Sequence, residues 1–133
     1  MSDILDEYEK AMAVLNDLAK DYLVWVQEDL QKLKDAYQRA LSLGGDNRTD
    51  VIRNELFRTA HDMKGQGATF GYDLVTYIGN HLCRYIERFD SFNENEMLAI
   101  DIHINALQQI IEQQLIGEGG SLGEALRSEV ESL

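Results

Sequence analysis

The residues best equipped to do chemistry fall in one run, AHDMKGQGATFG at 60–71. Its apolar seam is Ile52, Leu56, Ala60, Met63, Gly67 and Phe70, a helical spacing. At 100° per residue His61 lies on the order of 150° from that seam, toward solvent. Phe57, Lys64, Gly65 and Ala68 share its strip at steps of three and four. Lys64 is one turn on, so its ammonium reaches the same patch as the imidazole. Glycine inside a helix costs about 0.8–1 kcal/mol against alanine, and the run accepts two. Close helix packing accounts for Gly67, which lies on the seam. Gly65 lies on the histidine strip, where a missing side chain leaves open ground for another macromolecule to approach.

This is a nucleophile without catalytic apparatus. Imidazole in water is mostly neutral at pH 7, and a neutral ring nitrogen can attack phosphorus with no base to activate it. A phosphoryl group there adds negative charge that Lys64 would offset, by at most about 4 kcal/mol at ~4 Å before salt screening. His81 and His103 fall beside the seams of their own helices and are expected to be structural or incidental. A Glu-x-x-His pair would mark a di-metal bundle, but Arg58, Ile78 and Ile100 stand three places before the histidines. No metal and no cofactor is expected. No glycine-rich phosphate loop or kinase lysine–aspartate set is present, so the chain does not use ATP by those routes. Whether it counts as an enzyme is left open.

The elements that must hold this strip are helices. With 133 residues, 44% of them apolar and 27% charged, the chain reads as one globular domain. A net charge of −12 excludes a globally basic nucleic-acid binder. There is no proline, so long helices are allowed throughout. Cys83 is the only cysteine, which excludes an intrachain disulfide. The acidic N-terminus lacks a signal-peptide core, and no apolar run approaches the ~18 residues of a membrane span. A cytoplasmic protein with no membrane insertion is the expectation.

An apolar seam runs from Ile4 through Tyr8, Met12, Leu15, Ala19 and Tyr22 to Leu41, longer than the roughly 25 residues that globular helices rarely exceed. A break is expected near Lys20–Asp21, giving an N-terminal helix over about 3–20 and a bundle core over about 21–116. GGDNRTD at 44–50 reads as a loop, with Thr49 or Asp50 capping the next helix. Gly71 should close that helix and Asp73 cap the following one. Asn93 with Glu96, and Ser121 with Glu124, form capping-box patterns, the second opening a short tail helix over about 121–132. Four long amphipathic helices on short loops predict an all-α, antiparallel up-down-up-down four-helix bundle with accessory N- and C-terminal helices. Charge is segregated: residues 51–90 carry five basic and five acidic side chains, so the remainder carries the whole net charge. The hairpin around His61 is thus electrically milder than the rest.

The run HDMKGQGATFGYDL at 61–74 resembles the signature of histidine-containing phosphotransfer (Hpt) domains: H-x-x-K-G, then small residues, then a glycine ten places after the histidine. His61, Lys64, Gly65 and Gly71 match, and the likeness covers about residues 20–116. The GATFG portion is similar to the phosphotransfer domains of chemotaxis-type histidine kinases. The resemblance implies a phosphorelay intermediate in two-component signalling, with His61 as phosphoacceptor and Lys64 stabilising the phosphate. Gly65, Ala68 and Phe57 would let receiver domains of response regulators or hybrid histidine kinases approach, the receiver bringing the Mg²⁺. Many family members carry a glutamine 22 places after the histidine; here that place is Cys83, and Gln66 or Arg84 is a candidate replacement. The Met1 start and the lack of a C-terminal linker favour an independent protein over a kinase-linked donor domain. The alternative from another class is a helical scaffold that binds signalling partners without being phosphorylated.

Overall fold

The computed structural model describes residues 2–133, and every regular element among them is helical. Met1, on which the expectation of an independent protein partly rests, lies outside them. The first helix, α1, runs unbroken over Ser2–Ser42. The break expected at Lys20–Asp21 is absent, and with it the separate helix over 3–20. This stretch holds no glycine or proline. An interior aspartate costs at most about 0.7 kcal/mol against alanine, too little to stop a helix flanked by Ala19 and Leu23. The length limit of globular helices does not apply either, because residues 3–21 lie outside the globule and are all exposed.

The loop expected over 44–50 shrinks to Leu43 and Gly44. Helix α2 occupies Gly45–Val51, starting at a glycine with a left-handed φ of +55°. Thr49 does not cap it; the residue is buried, and its hydroxyl donates to the Gly45 carbonyl at 3.3 Å. Asp50 lies inside α2 as well. Arg48 accounts for the early start. Its guanidinium donates to the carbonyls of Ala40 (2.9 Å), Leu41 (3.3 Å) and Phe92 (2.9 Å). The open carbonyls ending α1 are thus satisfied from within the next helix.

α2 continues without a break into a π-helical stretch, Ile52–Leu56, and then into α3, Phe57–Gly67. A 3-10 turn, Ala68–Phe70, and Gly71 at φ +86° end this rod. Helix α4 is Asp73–Glu87, with Tyr72 and not Asp73 in the cap position. Helix α5 is Glu94–Glu112 and opens with the expected Asn93/Glu96 capping box, the Asn93 N–H donating to Glu96 Oε1 at 3.1 Å. Helix α6 is Gly120–Glu131, and glycines set its start instead of Ser121 and Glu124. Gly119 takes a φ of +71° at the cap, and a Cβ on Gly123 would sit 2.0 Å from the Glu118 carbonyl oxygen.

From Tyr22 onward α1 packs against α3 and α5, and α4 against α3 and α5, closing a ring of four helical rods. Tyr37 near the end of α1 donates to the Met97 carbonyl near the start of α5 at 3.2 Å. Arg53 early in the second rod donates to the carbonyl of Phe89, just past α4, at 2.8 Å. Tyr22 stacks on Phe70 with ring centroids 4.7 Å apart. These contacts join the ends that antiparallel neighbours bring together. The predicted seams are the core: Ile52, Leu56, Ala60, Ile78, Leu82, Ile100 and Leu107 are fully buried. α6 belongs to that core, through buried Leu126 and Val130. Among the described residues no helix is long and apolar enough to cross a membrane.

Candidate functional site

The site rests on the most extensive helix contact of the molecule, between α3 and α4. Gly67 and Gly79 set it. A Cβ on Gly67 would lie 2.8 Å from Thr76 Oγ1 and 2.9 Å from the Tyr72 carbonyl oxygen; one on Gly79 would lie 3.1 Å from Lys64 Cβ. The Thr76 hydroxyl donates to the Lys64 carbonyl at 2.9 Å and accepts from the Ala68 N–H at 2.8 Å. It therefore bolts the last turn of α3 to α4.

On this base α3 presents His61 to solvent, as its register requires. Its ring stacks beside Phe57, with centroids 6.2 Å apart and planes 25° apart. No side chain among the described residues hydrogen-bonds to the imidazole. Lys64 is half-buried along its stem, and its ammonium donates to Asn80 Oδ1 at 3.0 Å. An ammonium has three donors, so two remain for an incoming group. The position where Gly65 would carry a Cβ has no heavy atom within 4 Å. Ala68 and Gln66 are exposed on the same end of α3.

The family model of the Hpt domain matches residues 17–117, most of the chain and the whole of the four-rod ring from Tyr22 onward. The chain belongs to the Hpt family. Hpt domains serve phosphotransfer in phosphorelays and interact there with receiver domains. No curated protein and no solved structure matches the chain. The matched span leaves out residues 2–16 of α1 and all of α6.

In this Hpt domain the two candidate replacements for the family glutamine do not reach His61. The Gln66 side chain makes no hydrogen bond among the described residues, and Arg84 is paired with Glu87, at 3.1 and 3.2 Å to the two carboxylate oxygens. Cys83 lies underneath, fully buried, its thiol directed at the Phe57 carbonyl at 4.0 Å. Burial pushes that thiol above its usual range, against the opposing pull of Lys64. It packs the helix carrying His61 and is not a reactive thiolate. Sequence reasoning missed Thr76 and Asn80. Their signal was present: Thr76, Asn80 and Cys83 recur at steps of four and three, one face of α4 turned toward α3.

The other two histidines form a pair between α4 and α5. His103 is completely buried; its Nδ1 donates to the Ala99 carbonyl at 2.7 Å, which leaves Nε2 to accept from His81 Nδ1 at 2.8 Å. Burial drives His103 down to about 4 and lowers His81 as well. Both are neutral structural residues at pH 7. Among the described residues no cluster of side chains could hold a metal ion.

Proposed function

We propose that this Hpt domain carries a phosphoryl group on His61, taken from a phospho-aspartate of one receiver domain and delivered to an aspartate of another. The observation that carries the reading is the surface strip itself: an exposed imidazole with no internal partner, an ammonium tethered one turn away, and bare ground at Gly65. In the forward step a ring nitrogen's lone pair forms the N–P bond. The bond from phosphorus to the donor's aspartyl oxygen breaks, and the aspartate leaves as carboxylate. The proton on the other ring nitrogen stays in place. Lys64 offsets the arriving charge through the donors that Asn80 does not occupy. The neighbouring Phe57 ring limits the imidazole's rotation in place of the family glutamine. The divalent cation that such transfer uses comes with the receiver, and this chain holds no cofactor of its own. The proposal includes action in the cytoplasm, where its receivers would be met.

The test is incubation with a phosphorylated receiver, followed by detection of acid-labile phosphate. The parent chain should acquire phosphohistidine, and His61→Gln should acquire none while keeping its helical spectrum. Receiver binding without phosphate on the parent chain would instead establish the scaffold reading.

A further inference from the structure

The N-terminal half of α1 carries an apolar face that is largely exposed. Leu5, Tyr8, Met12, Leu15, Ala19, Tyr22 and Val26 recur at steps of three and four, the a/d pattern of a helix seam. Tyr22 and Val26 are buried in the bundle, whereas Leu5, Tyr8 and Leu15 are 59%, 63% and 58% exposed. The seam thus runs out of the bundle uncovered for about 21 Å, from Ala19 to Leu5. Ile4, Ala11 and Leu18 flank it on one side and widen the apolar face. Residues 2–16 lie outside the family match.

We propose that a second copy of this chain covers the face, its own overhang packing against it antiparallel about a two-fold axis. Three observations select that occupant. The exposed seam from Tyr8 to Ala19 is spaced four, three, four, the same in both directions, so a reversed copy matches each of its layers. Tyr8 then stands level with the partner's Ala19, and Met12 with the partner's Leu15.

The second observation is a cavity. Where α1 leaves the bundle there is a notch of about 370 Å³, lined by Leu15, Leu18, Ala19, Thr69 and Phe70. Ala19, the smallest residue of the seam, forms part of its floor. The antiparallel register delivers Tyr8, the bulkiest exposed seam residue, to that level, and the two-fold axis does so twice.

The third is charge. Asp3, Asp6, Glu7 and Glu9 crowd the first turns. A parallel pair would set two such clusters side by side. The antiparallel register separates them by about 22 Å, beyond the ~8 Å screening length of physiological salt. It also sets Glu7 level with Lys20 and Lys10 level with Asp17. Such a pair would bury on the order of 1,200 Å², the lower edge of stable interfaces. The contact is isologous, so it closes at two copies and does not propagate.

Sedimentation velocity on the full chain tests the proposal. The parent should be a dimer at tens of micromolar, and Leu15→Glu should be a monomer with unchanged helical content, because Leu15 is more than half exposed and not among the buried core residues. For the register, Tyr8→Cys and Ala19→Cys chains are mixed and oxidised; Cys83 is buried and takes no part. The proposal expects the mixed disulfide between the two variants. A parent that stays monomeric, a dimer that survives Leu15→Glu, or cross-links between two Tyr8→Cys chains in preference to the mixed pair would each overturn it.

Discussion

Gly65 and Gly67 stand two places apart in one helix, and replacing each with alanine should shift stability in opposite directions. Both substitutions gain the same intrinsic term, about 0.8–1 kcal/mol of helix propensity. At Gly65 nothing offsets it, because a Cβ there meets no atom within 4 Å. Gly65→Ala should therefore stabilise the free protein by about 1 kcal/mol, raising Tm by roughly 3–5 °C for a chain of this size. At Gly67 the new Cβ would lie 2.8 Å from Thr76 Oγ1, 2.9 Å from the Tyr72 carbonyl oxygen and 3.0 Å from the Thr76 nitrogen. Two of those atoms are backbone and cannot turn away. Overpacking of this kind costs about 1–3 kcal/mol, and displacing Thr76 disturbs its two hydrogen bonds at about 1 kcal/mol each. Gly67→Ala should lose about 2–4 kcal/mol net. Function should invert the order. Gly65→Gln should weaken transfer from a receiver while phosphorylation by a small donor such as acetyl phosphate continues, since only a protein surface needs the open ground. Thermal melts with parallel transfer assays on both donors decide the matter. A melting temperature that falls in Gly65→Ala, or a Gly65→Gln chain impaired equally with both donors, would refute the docking argument.

Lys64→Ala should slow phosphoryl transfer roughly ten- to hundredfold, equivalent to about 1.4–2.7 kcal/mol, without abolishing it; transfer at the parent rate would remove the charge-offset role. Asn80→Ala frees the ammonium and removes no charge, so stopped-flow transfer should slow less than in Lys64→Ala. Arg48→Ala should cost about 2–3 kcal/mol in urea melts, since it strips hydrogen bonds to a charged donor from three carbonyls at once. The histidine pair gives a pH dependence. The folded protein holds His103 near 4, below its unfolded value of about 6.5. Its contribution is therefore fully present above about 6.5 and is lost as pH falls toward 4. Urea melts should show a steeper loss of stability between pH 6.5 and 4.5 in the parent than in a His81→Phe/His103→Leu variant.

What the sequence disclosed were features carried by repetition. Seam residues recur at helical spacing in every rod, so Ile52, Leu56, Ile78 and Ile100 were identifiable as core, and the orientation of His61 followed by subtraction. Helix ends were less legible, because they depend on partners remote in sequence. Nothing near Gly45 announces that Arg48 will reach Ala40 and Phe92, and a serine followed by a glutamate at 121–124 looks like a cap until Gly119 and Gly123 meet Leu74 and Glu118. The long first helix was misjudged for another reason. Its period was correct, but a size limit proper to buried helices was applied to a segment that leaves the globule. At the site, the strip on α3 could be read from one helix, whereas Thr76 and Asn80 became functional neighbours only when α4 was laid beside it.

The threonine bolt and the two glycine contacts give the hairpin of α3 and α4 little slack. A phosphoryl group arriving at His61 adds charge on the outer side of a helix whose inner side is already in van der Waals contact with its neighbour. Nothing there is poised to rearrange. The loaded and empty forms should share one backbone and one pattern of amide exchange, apart from the turn that carries the histidine. The molecule would then work as a baton and not as a switch. On the proposed function, a receiver would distinguish the two forms by the phosphate itself, and any selectivity among receivers would be written in the fixed contour around Gly65, the same before and after each exchange.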